Sequence, residues 1–337
     1  MWVLLKRSGG SVEAFPVIEP EPARSDATAV FRRLVDNVRL VIAGNDEAVE
    51  MAAVCLLAEG NLLLEGVPGV GKTTLARALA TSLGGRFSRV QATPDLLPSD
   101  LTGISVYDQA HGEFRFVAGP VFANVVLVDE INRTPPRTQS ALLEPMEERQ
   151  VTVDGVTHAL PAPYLVIATE NPIEQHGTYP LPEGQLDRFA LSVRVDYPDD
   201  AGATALVHRQ LRRHPLRDLG AVLEPEQVVA AQHVVRDVHV DEKIVSYAVA
   251  LATATRHAPD LALGASPRAS VWLVRCAQAR AIGSGRDFVL PDDVKVLAEP
   301  VLAHRLVPKV RASAAVARQV VGRVVDEVAV PLHATVG

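Results

Sequence analysis

Eight consecutive residues carry the glycines, the lysine and the hydroxyl group that a phosphate-binding loop needs. They follow the pattern G-x-x-x-x-G-K-[ST] and are Gly66, Val67, Pro68, Gly69, Val70, Gly71, Lys72 and Thr73, with Thr74 directly after them. Glycines let backbone N–H groups approach an anion closely, and the first turn of a following helix adds unpaired donors and a partial positive charge. We therefore expect Lys72 to reach the β- and γ-phosphates of a nucleotide and Thr73 to hold Mg²⁺.

The residues on either side of this loop supply the context that the motif requires. An apolar run at 62–64 predicts a buried strand before it, and apolar residues at helical spacing from Leu75 to Ala80 predict a helix after it. A strand, a loop and a helix in this order distinguish a phosphate loop from a chance glycine-rich turn. Only five of the 33 basic residues are lysine, so a lysine at this position is informative.

Two further predicted strands end in polar residues that suit phosphoryl transfer. The apolar run 125–128 ends at Asp129 and Glu130, and the run 164–168 is soon followed by Asn171. We expect Asp129 to hold Mg²⁺, Glu130 to orient and polarise the attacking water, and Asn171 to contact that water or the γ-phosphate. Acids after a strand can also be solvated turn residues, and Asn before proline favours turns.

Two arginines are candidates for contact with a γ-phosphate. Arg188 precedes the last predicted strand and could act as an arginine finger toward a neighbouring subunit; the alternative is an ion pair with Asp187 or Glu183. Arg268 lies in the first turn of a predicted helix, where the helix dipole disfavours a cation. It is therefore a better candidate for a γ-phosphate sensor than for a stabilising surface charge.

Composition bounds the class of protein. The chain has 337 residues, a formal charge of −7, 48% apolar residues and 4% aromatic residues. This length suggests about two domains, and the acidic balance argues against broad affinity for nucleic acid. Cys55 and Cys276 match no zinc or redox spacing and are expected to be buried thiols in a reducing compartment.

No targeting or membrane segment is evident. Residues 1–7 place basic residues after a very short apolar run, which is the wrong order for a signal peptide. No apolar run approaches the roughly 18 residues that span a bilayer. We expect a cytoplasmic protein with no membrane insertion.

The order of predicted elements indicates two domains after an N-terminal extension. Residues 1–26, rich in Pro, Glu, Gly and Ser, are expected to be poorly ordered. Residues 27–198 contain five short apolar strands alternating with helices, which predicts a parallel sheet covered on both faces with its ligand at the carboxyl edge. Residues 199–337 contain only helical patterns, the first at 201–212, and predict a separate all-helical domain.

Three smaller features complete the prediction. Alternating patterns predict hairpins at about 104–117 and 150–160, the second around Asp-Gly. A continuous helix is expected over 139–149. Ile42, between the first two predicted helices, could contact an adenine base; a plain linker between helices is the alternative.

The candidate residues occur in an order that resembles that of an AAA+ ATPase: first the phosphate loop, then Asp129-Glu130, Asn171, Arg188 and Arg268. Four connecting segments resemble the MoxR family more closely: TPDLLPSDLTG (93–103), DEINR (129–133), LLEPMEE (142–148) and LPEGQLDRF (181–189). The match covers about 27–330. The sequence differs from the family pattern at 42–45, where the family usually has a Val-Gly-Gln type segment. The resemblance is therefore a weaker guide to the residues that contact adenine.

The resemblance implies a three-layer αβα phosphate-loop NTPase core with a five-stranded parallel sheet and a C-terminal helical lid domain. The hairpin at 104–117 would be an insert in helix 2, and the hairpin at 150–160 would precede the sensor strand. Family members are expected to use ATP and Mg²⁺, to form hexameric rings and to act as chaperones that remodel or mature partner proteins. Many act with proteins that carry a von Willebrand factor A-type domain.

In related proteins with helix-2 inserts, the second-domain arginine can act on the neighbour's nucleotide. The resemblance therefore leaves open whether Arg268 acts in cis or in trans.

Two other functions share parts of this pattern. Minichromosome-maintenance helicases share the helix-2 hairpin, but DNA tracking would require a basic tip, and residues 104–116 contain one arginine and two acids. A motor subunit of a metal-chelatase complex is the second alternative. Salt-dependent stimulation of ATPase activity by DNA would support the first, and co-purification with a tetrapyrrole-binding subunit the second.

Overall fold

The computed structural model describes residues 22–42, 44–67, 69–171, 177–197, 200, 204, 215–309 and 314–331. In chain order the strands are β1 (Leu62–Glu65), β2 (Phe87–Gln91), β3 (Gly103–Asp108), β4 (Glu113–Ala118), β5 (Val125–Asp129), β6 (Gln150–Val153), β7 (Val156–Ala159), β8 (Leu165–Glu170), β9 (Leu191–Arg194), β10 (Leu261–Leu263) and β11 (Val307–Pro308). The helices are α1 (Pro22–Arg39), α2 (Asp46–Leu57), α3 (Lys72–Ser82), α4 (Pro98–Thr102), α5 (Pro136–Ser140), α6 (Leu143–Glu148), α7 (Glu183–Leu186), α8 (Pro225–Arg236), α9 (Glu242–Arg256), α10 (Pro267–Gly283), α11 (Pro291–Leu302) and α12 (Ala314–Glu327).

Five strands form the central parallel sheet in the order β2-β5-β8-β1-β9, which confirms the predicted five-stranded parallel sheet. Alternate residues of each strand enter two separate hydrophobic clusters. In β1, Leu62 and Leu64 join one cluster and Leu63 joins the other. Both faces are therefore covered, as the apolar runs without polar alternation predict.

Both predicted hairpins are present. Strand β3 pairs with β4 in antiparallel register, and β6 pairs with β7 in the same way. The continuous helix expected over 139–149 is wrong, because α5 ends at Ser140 and α6 begins at Leu143. Pro145 explains the break: its ring would clash with the carbonyl of residue 141 in a continuous helix, and it has no N–H to donate.

Helix α1 begins earlier than predicted, and residues 22–26 belong to it rather than to an N-terminal extension. Proline suits the first helical position because its missing N–H would have no intrahelical partner there, so Pro22 starts the helix. The remainder of the predicted extension, residues 1–21, lies outside the described residues.

The predicted lid is formed by α8–α12, and one correction applies to its all-helical character. Strands β10 and β11 form a short antiparallel pair beside these helices. Helix α11 ends at Leu302, and the chain then continues through a 3₁₀ turn into β11. Of the helix predicted at 201–212, only residue 204 is among the described residues. One cluster containing Leu34 of α1, Val228 of α8 and Leu273 of α10 also includes residues of the sheet, so core and lid share apolar packing.

Candidate functional site

The phosphate loop connects β1 to α3 at the carboxyl edge of the sheet. Gly66 packs against the strand end that follows β9, and a Cβ atom there would lie 2.4 Å from the carbonyl oxygen of Val195. Gly71 caps α3 with a φ of +99°, a backbone conformation that is unfavourable for residues with a Cβ atom. Val67, Gly69 and Val70 complete the described loop, Thr74 lies in the first turn of α3, and Pro68 lies outside the described residues.

Lys72 is buried and folds back onto its own loop. Its Nζ donates to the carbonyl oxygen of Gly66 at 2.5 Å. Burial lowers the pKa of the Lys72 ammonium, and the carboxylates of Asp129, Glu130 and Glu170 oppose that change. A buried cation at the start of α3 is suited to an incoming polyphosphate.

Asp129, at the end of β5, connects the phosphate loop to two neighbouring strands. Its Oδ2 accepts from Thr73 Oγ1 at 3.4 Å and lies 2.7 Å from Nε of Arg89, on β2. Its Oδ1 accepts from Thr169 Oγ1, on β8, at 3.3 Å. The carboxylate is thereby fixed on both oxygens, and Arg89 balances its charge.

Thr73 and Asp129 have the donor atoms and the spacing of a partial Mg²⁺ site. Two oxygens bound side by side to Mg²⁺ in octahedral geometry are about 3 Å apart, and the hydroxyl and carboxylate oxygens here are separated by 3.4 Å. Within the described residues, no group of three or more His, Cys, Asp or Glu side chains could hold a metal. A Mg²⁺ ion at this site would complete its shell with water and phosphate oxygens, as is usual for this ion.

Glu130 follows Asp129 in a left-handed conformation, with a φ of +58°. This conformation costs energy for a residue with a Cβ. It ends the strand at this residue, and the Glu130 backbone N–H donates to Thr169 Oγ1 at 2.9 Å. The carboxylate accepts from Gln91 Nε2 at 3.1 Å and pairs with Arg133 Nε at 2.9 Å. In this conformation the carboxylate that is predicted to polarise the attacking water is therefore held by Gln91 of β2 and by Arg133 of the following turn.

Asn171 is buried directly after β8. Because β8 lies between β5 and β1 in the sheet, Asn171 lies between the acidic pair and the phosphate loop. The structure therefore brings Asn171 to the same edge as Lys72, Thr73, Asp129 and Glu130, as the sequence predicted.

Glu170 precedes Asn171 and faces Glu65 across the β1–β8 pairing. Burial raises the pKa of the Glu170 carboxyl to about 7, the Glu65 carboxylate adds to the rise, and Lys72 opposes it. A carboxyl group that can gain a proton near neutral pH therefore lies beside the phosphate-loop lysine.

Ile42 ends the segment after α1, where its backbone N–H donates to the carbonyl of Val38 at 3.1 Å. The nearby Asn45 reaches the carbonyl of Asp196 at 3.5 Å, next to Val195, which abuts Gly66. The segment after α1 that contains Ile42 therefore lies near the beginning of the phosphate loop. Contact between Ile42 and adenine stays a prediction.

Arg188 and Arg268 lie at the other edge of the sheet. Residue 190 donates its backbone N–H to the carbonyl of Asn61 at 2.8 Å, just before β9 and β1 begin. Both arginines pair with Glu147: Arg188 Nε lies 3.1 Å from Oε2, and Arg268 Nη2 lies 2.7 Å from Oε1. Arg188 also donates from Nη1 to the carbonyl of Gly184.

Sequence reasoning missed four residues in these surroundings: Arg89, Gln91, Glu147 and Glu170. Arg89 and Gln91 are two residues apart on β2, and this spacing is the signal that could have found them, since it puts both on one face beside β5. Glu147 and Glu170 had no such signal, because their importance depends on which strands and helices become neighbours.

The sheet order, the loop between β1 and α3 and the helical lid define an ATPase of the AAA class. A family model described as "ATPase family associated with various cellular activities (AAA)" matches residues 61–191, and one described as "AAA lid domain" matches residues 253–324. The crystal structure of a candidate ATPase from Cytophaga hutchinsonii superposes with a TM-score of 0.85 at 36% identity, covering 93% of this chain and 98% of that one.

Two relatives place the chain more narrowly. The protein YeaC of Bacillus subtilis (strain 168) is 44% identical over 312 residues, which are 92% of this chain and 98% of that protein. Chaperone MoxR1 of Mycobacterium tuberculosis is 41% identical over 311 residues, which are 88% of this chain and 82% of that protein. The chain belongs to the MoxR family of AAA ATPases. None of the helices in its described part has the length and apolar character needed to cross a membrane.

Proposed function

We propose that the chain is a Mg²⁺-dependent ATP hydrolase that works as a closed ring of copies, expected to be a hexamer. The observation that carries this proposal is the separation of the phosphate loop from Arg188. The loop follows the end of β1, whereas Arg188 precedes β9, whose first residue pairs with the first residue of β1. The four residues of β1 alone span about 10 Å, so Arg188 lies at the opposite edge of the sheet from its own nucleotide site.

A head-to-tail ring resolves this separation. In such an assembly the arginine edge of one copy meets the nucleotide edge of the next, and a suitable rotation closes the ring. Arg188 then serves as the arginine finger for the neighbour's γ-phosphate. Because Arg268 pairs with the same glutamate as Arg188, it belongs to this edge as well, and we assign it a role in trans.

The residues at the carboxyl edge divide the chemistry among them. Lys72 and the loop N–H groups hold the phosphates, and Thr73 and Asp129 hold Mg²⁺, which supplies neutralisation of the developing charge. Glu130 orients and polarises the attacking water once its carboxylate leaves Gln91 and Arg133. Asn171 contacts the same water or the γ-phosphate from the neighbouring strand.

Hydrolysis is expected to drive chaperone-like remodelling or maturation of partner proteins. A relative named Chaperone MoxR1 supports this class of work, and the family resemblance favours a partner with a von Willebrand factor A-type domain. Cys55 and Cys276 are free and buried, which supports the proposed location in the cytoplasm.

The hairpin β3–β4 favours a protein rather than nucleic acid as the substrate of such work. Phe114 is 74% exposed and packs against the ring of Tyr107 at 5.2 Å between centroids. Acids flank both aromatics, at Asp108 and Glu113, and the hairpin contains a single basic residue of permanent charge, Arg115. A nucleic-acid motor would need more positive charge along this surface.

The test is specific ATPase activity measured against protein concentration, for the wild type and for Arg188→Ala. The ring predicts wild-type activity that rises cooperatively with concentration and a variant that is slow at every concentration. A flat concentration dependence together with normal Arg188→Ala activity would mean that hydrolysis is monomeric.

A further inference from the structure

Glu147 joins two arginines that come from different parts of the fold. Arg188 follows α7 in the ATPase core, Arg268 begins α10 in the lid, and Glu147 on α6 contacts both within 3.1 Å. We call these three residues the arginine–glutamate triad. The backbone carbonyl of Met146, next to Glu147, accepts from Asn61 Nδ2 at 3.2 Å, so the triad lies at the amino edge of the sheet.

The triad lines a cleft that carries excess positive charge. The cleft has a volume of about 500 Å³ and is also lined by Arg149 and Arg275, so its lining contains four arginines and two glutamates. The second glutamate, Glu59, is already engaged by Arg236 at 2.6 Å from each of its oxygens. An anion such as a terminal phosphate is the ligand chemistry that this surplus favours.

Each arginine of the triad retains donors while it contacts Glu147. A guanidinium has five N–H groups. Arg188 has Nε 3.1 Å from Glu147 Oε2 without making a hydrogen bond to it, and it donates from Nη1 to Gly184. Arg268 has Nη2 2.7 Å from Glu147 Oε1 and Nε 3.9 Å from Asp187 Oδ2. Within the described part of the chain, Nη2 of Arg188 and Nη1 of Arg268 make no hydrogen bond. One phosphate could therefore be met by both side chains without breaking either ion pair.

We propose that Glu147 is a positioning residue that holds Arg188 and Arg268 as one unit, aimed at the terminal phosphate bound by the next copy. This inference rests on the proposed function in trans. Without the Glu147 carboxylate, the two positively charged guanidinium groups would repel each other and move apart. Both side chains would then have to return to a productive position in every catalytic cycle. With Glu147 in place, their relative geometry is set before the neighbour docks.

Glu147 is not needed to hold the lid on the core, because Asp187 does this already. Asp187 accepts from Ser266 Oγ at 2.8 Å and 2.9 Å, and its Oδ1 pairs with the buried Arg305 at 3.0 Å. The side chains of Arg188 and Arg268 are 24% and 40% exposed, so neither arginine becomes a fully enclosed charge when residue 147 is neutral. The variant Glu147→Gln should therefore fold and assemble.

The experiment compares the kcat and the KM for ATP of full-length wild type, Glu147→Gln and Glu147→Asp at saturating protein concentration. Glu148→Gln is the matched control, since Glu148 is adjacent on α6 and its side chain hydrogen-bonds only Gln150 among the described residues, at 3.1 Å. Glu147→Gln should lower kcat about tenfold with an unchanged KM, because the loop that binds ATP is untouched. Glu147→Asp should recover part of the loss, and Glu148→Gln should match the wild type.

A double-mutant cycle with Arg188→Ala separates positioning from a general effect. In the Arg188→Ala background, the loss caused by Glu147→Gln should shrink to less than twofold, because the unit is already broken. Equal losses in both backgrounds, an unchanged or higher kcat of Glu147→Gln, or a smaller assembly by light scattering would each overturn the proposal. If Arg188→Ala itself turns over normally, the proposed function fails; if Arg188→Ala is slow and Glu147→Gln is normal, only the role of Glu147 fails.

Discussion

Replacing Glu170 by glutamine should stabilise the nucleotide-free protein at alkaline pH and have little effect at acidic pH. Burial beside Glu65 raises the pKa of the Glu170 carboxyl from an ordinary value of 4.5 to about 7. The folded state therefore binds more protons than the unfolded state between these two pH values. Stability contributed by this group falls as pH rises through that window, and the full cost is present above about pH 7.

The size of the effect follows from the pKa difference. A change of one in pKa corresponds to about 1.4 kcal/mol, so the rise would cost about 3 kcal/mol of folding free energy if water did not reach the side chain. Glu170 is half-buried rather than fully enclosed, and solvent screening reduces the figure to about 2 kcal/mol. Glutamine has a similar shape and no charge, so Glu170→Gln should recover this amount.

The assay is urea unfolding of both proteins at pH 5 and at pH 8.5, without nucleotide, followed by far-ultraviolet circular dichroism. We expect the free energy of unfolding of Glu170→Gln to exceed that of the wild type by about 2 kcal/mol at pH 8.5 and to match it at pH 5. Glu113→Gln, on the exposed strand β4, should show no such pH dependence. A difference between Glu170→Gln and wild type that is equal at the two pH values would refute the reasoning.

Three further predictions concern the site and its support. Glu130→Gln should bind ATP with near-normal affinity but turn over at least about 100-fold more slowly, whereas Lys72→Ala should lose binding in a fluorescent-nucleotide titration; full turnover by either variant contradicts its assigned role. Arg89→Met should lower, several-fold, the Mg²⁺ concentration that gives half-maximal ATPase activity, because the guanidinium 2.7 Å from Asp129 competes with the metal; a higher Mg²⁺ requirement would count against this competition. Leu34→Ala should cost about 3 kcal/mol in urea unfolding, since Leu34 is fully buried in the packing of α1, and a loss below about 0.5 kcal/mol would mean that α1 is not part of the core.

Local sequence patterns were sufficient for the phosphate loop and for the sheet. The spacing from Gly66 to Thr73, together with an apolar run on one side and a helical pattern on the other, predicted an anion site at a strand end. Asp129, Glu130 and Asn171 were predicted at the same edge because parallel strands direct their carboxyl ends the same way.

Features that depend on the order of the strands could not be read from local patterns. Gln91 reaches Glu130, and Arg89 reaches Asp129, only because β2 lies beside β5 in the sheet. The raised pKa of Glu170 likewise needs β8 to lie beside β1, which brings Glu65 opposite it. No window of sequence contains these neighbours together.

The position of Arg268 is a second feature that depends on tertiary contacts. Its place in the first turn of a helix indicated that it was not a simple surface charge. Only the ion pairs of Glu147, on α6, with Arg268 and Arg188 assign it to the amino edge of the sheet.

The most direct test of the account mixes two inactive variants of the full chain. Lys72→Ala keeps the arginine edge but cannot bind ATP, whereas Arg188→Ala binds ATP but lacks the arginine. If the finger acts in trans, equal mixing should restore roughly a quarter of wild-type ATPase activity, since a quarter of random head-to-tail interfaces join an intact nucleotide site to an intact arginine. Activity no higher than the mean of the two separate variants, in mixtures shown by light scattering to contain mixed rings, would contradict it.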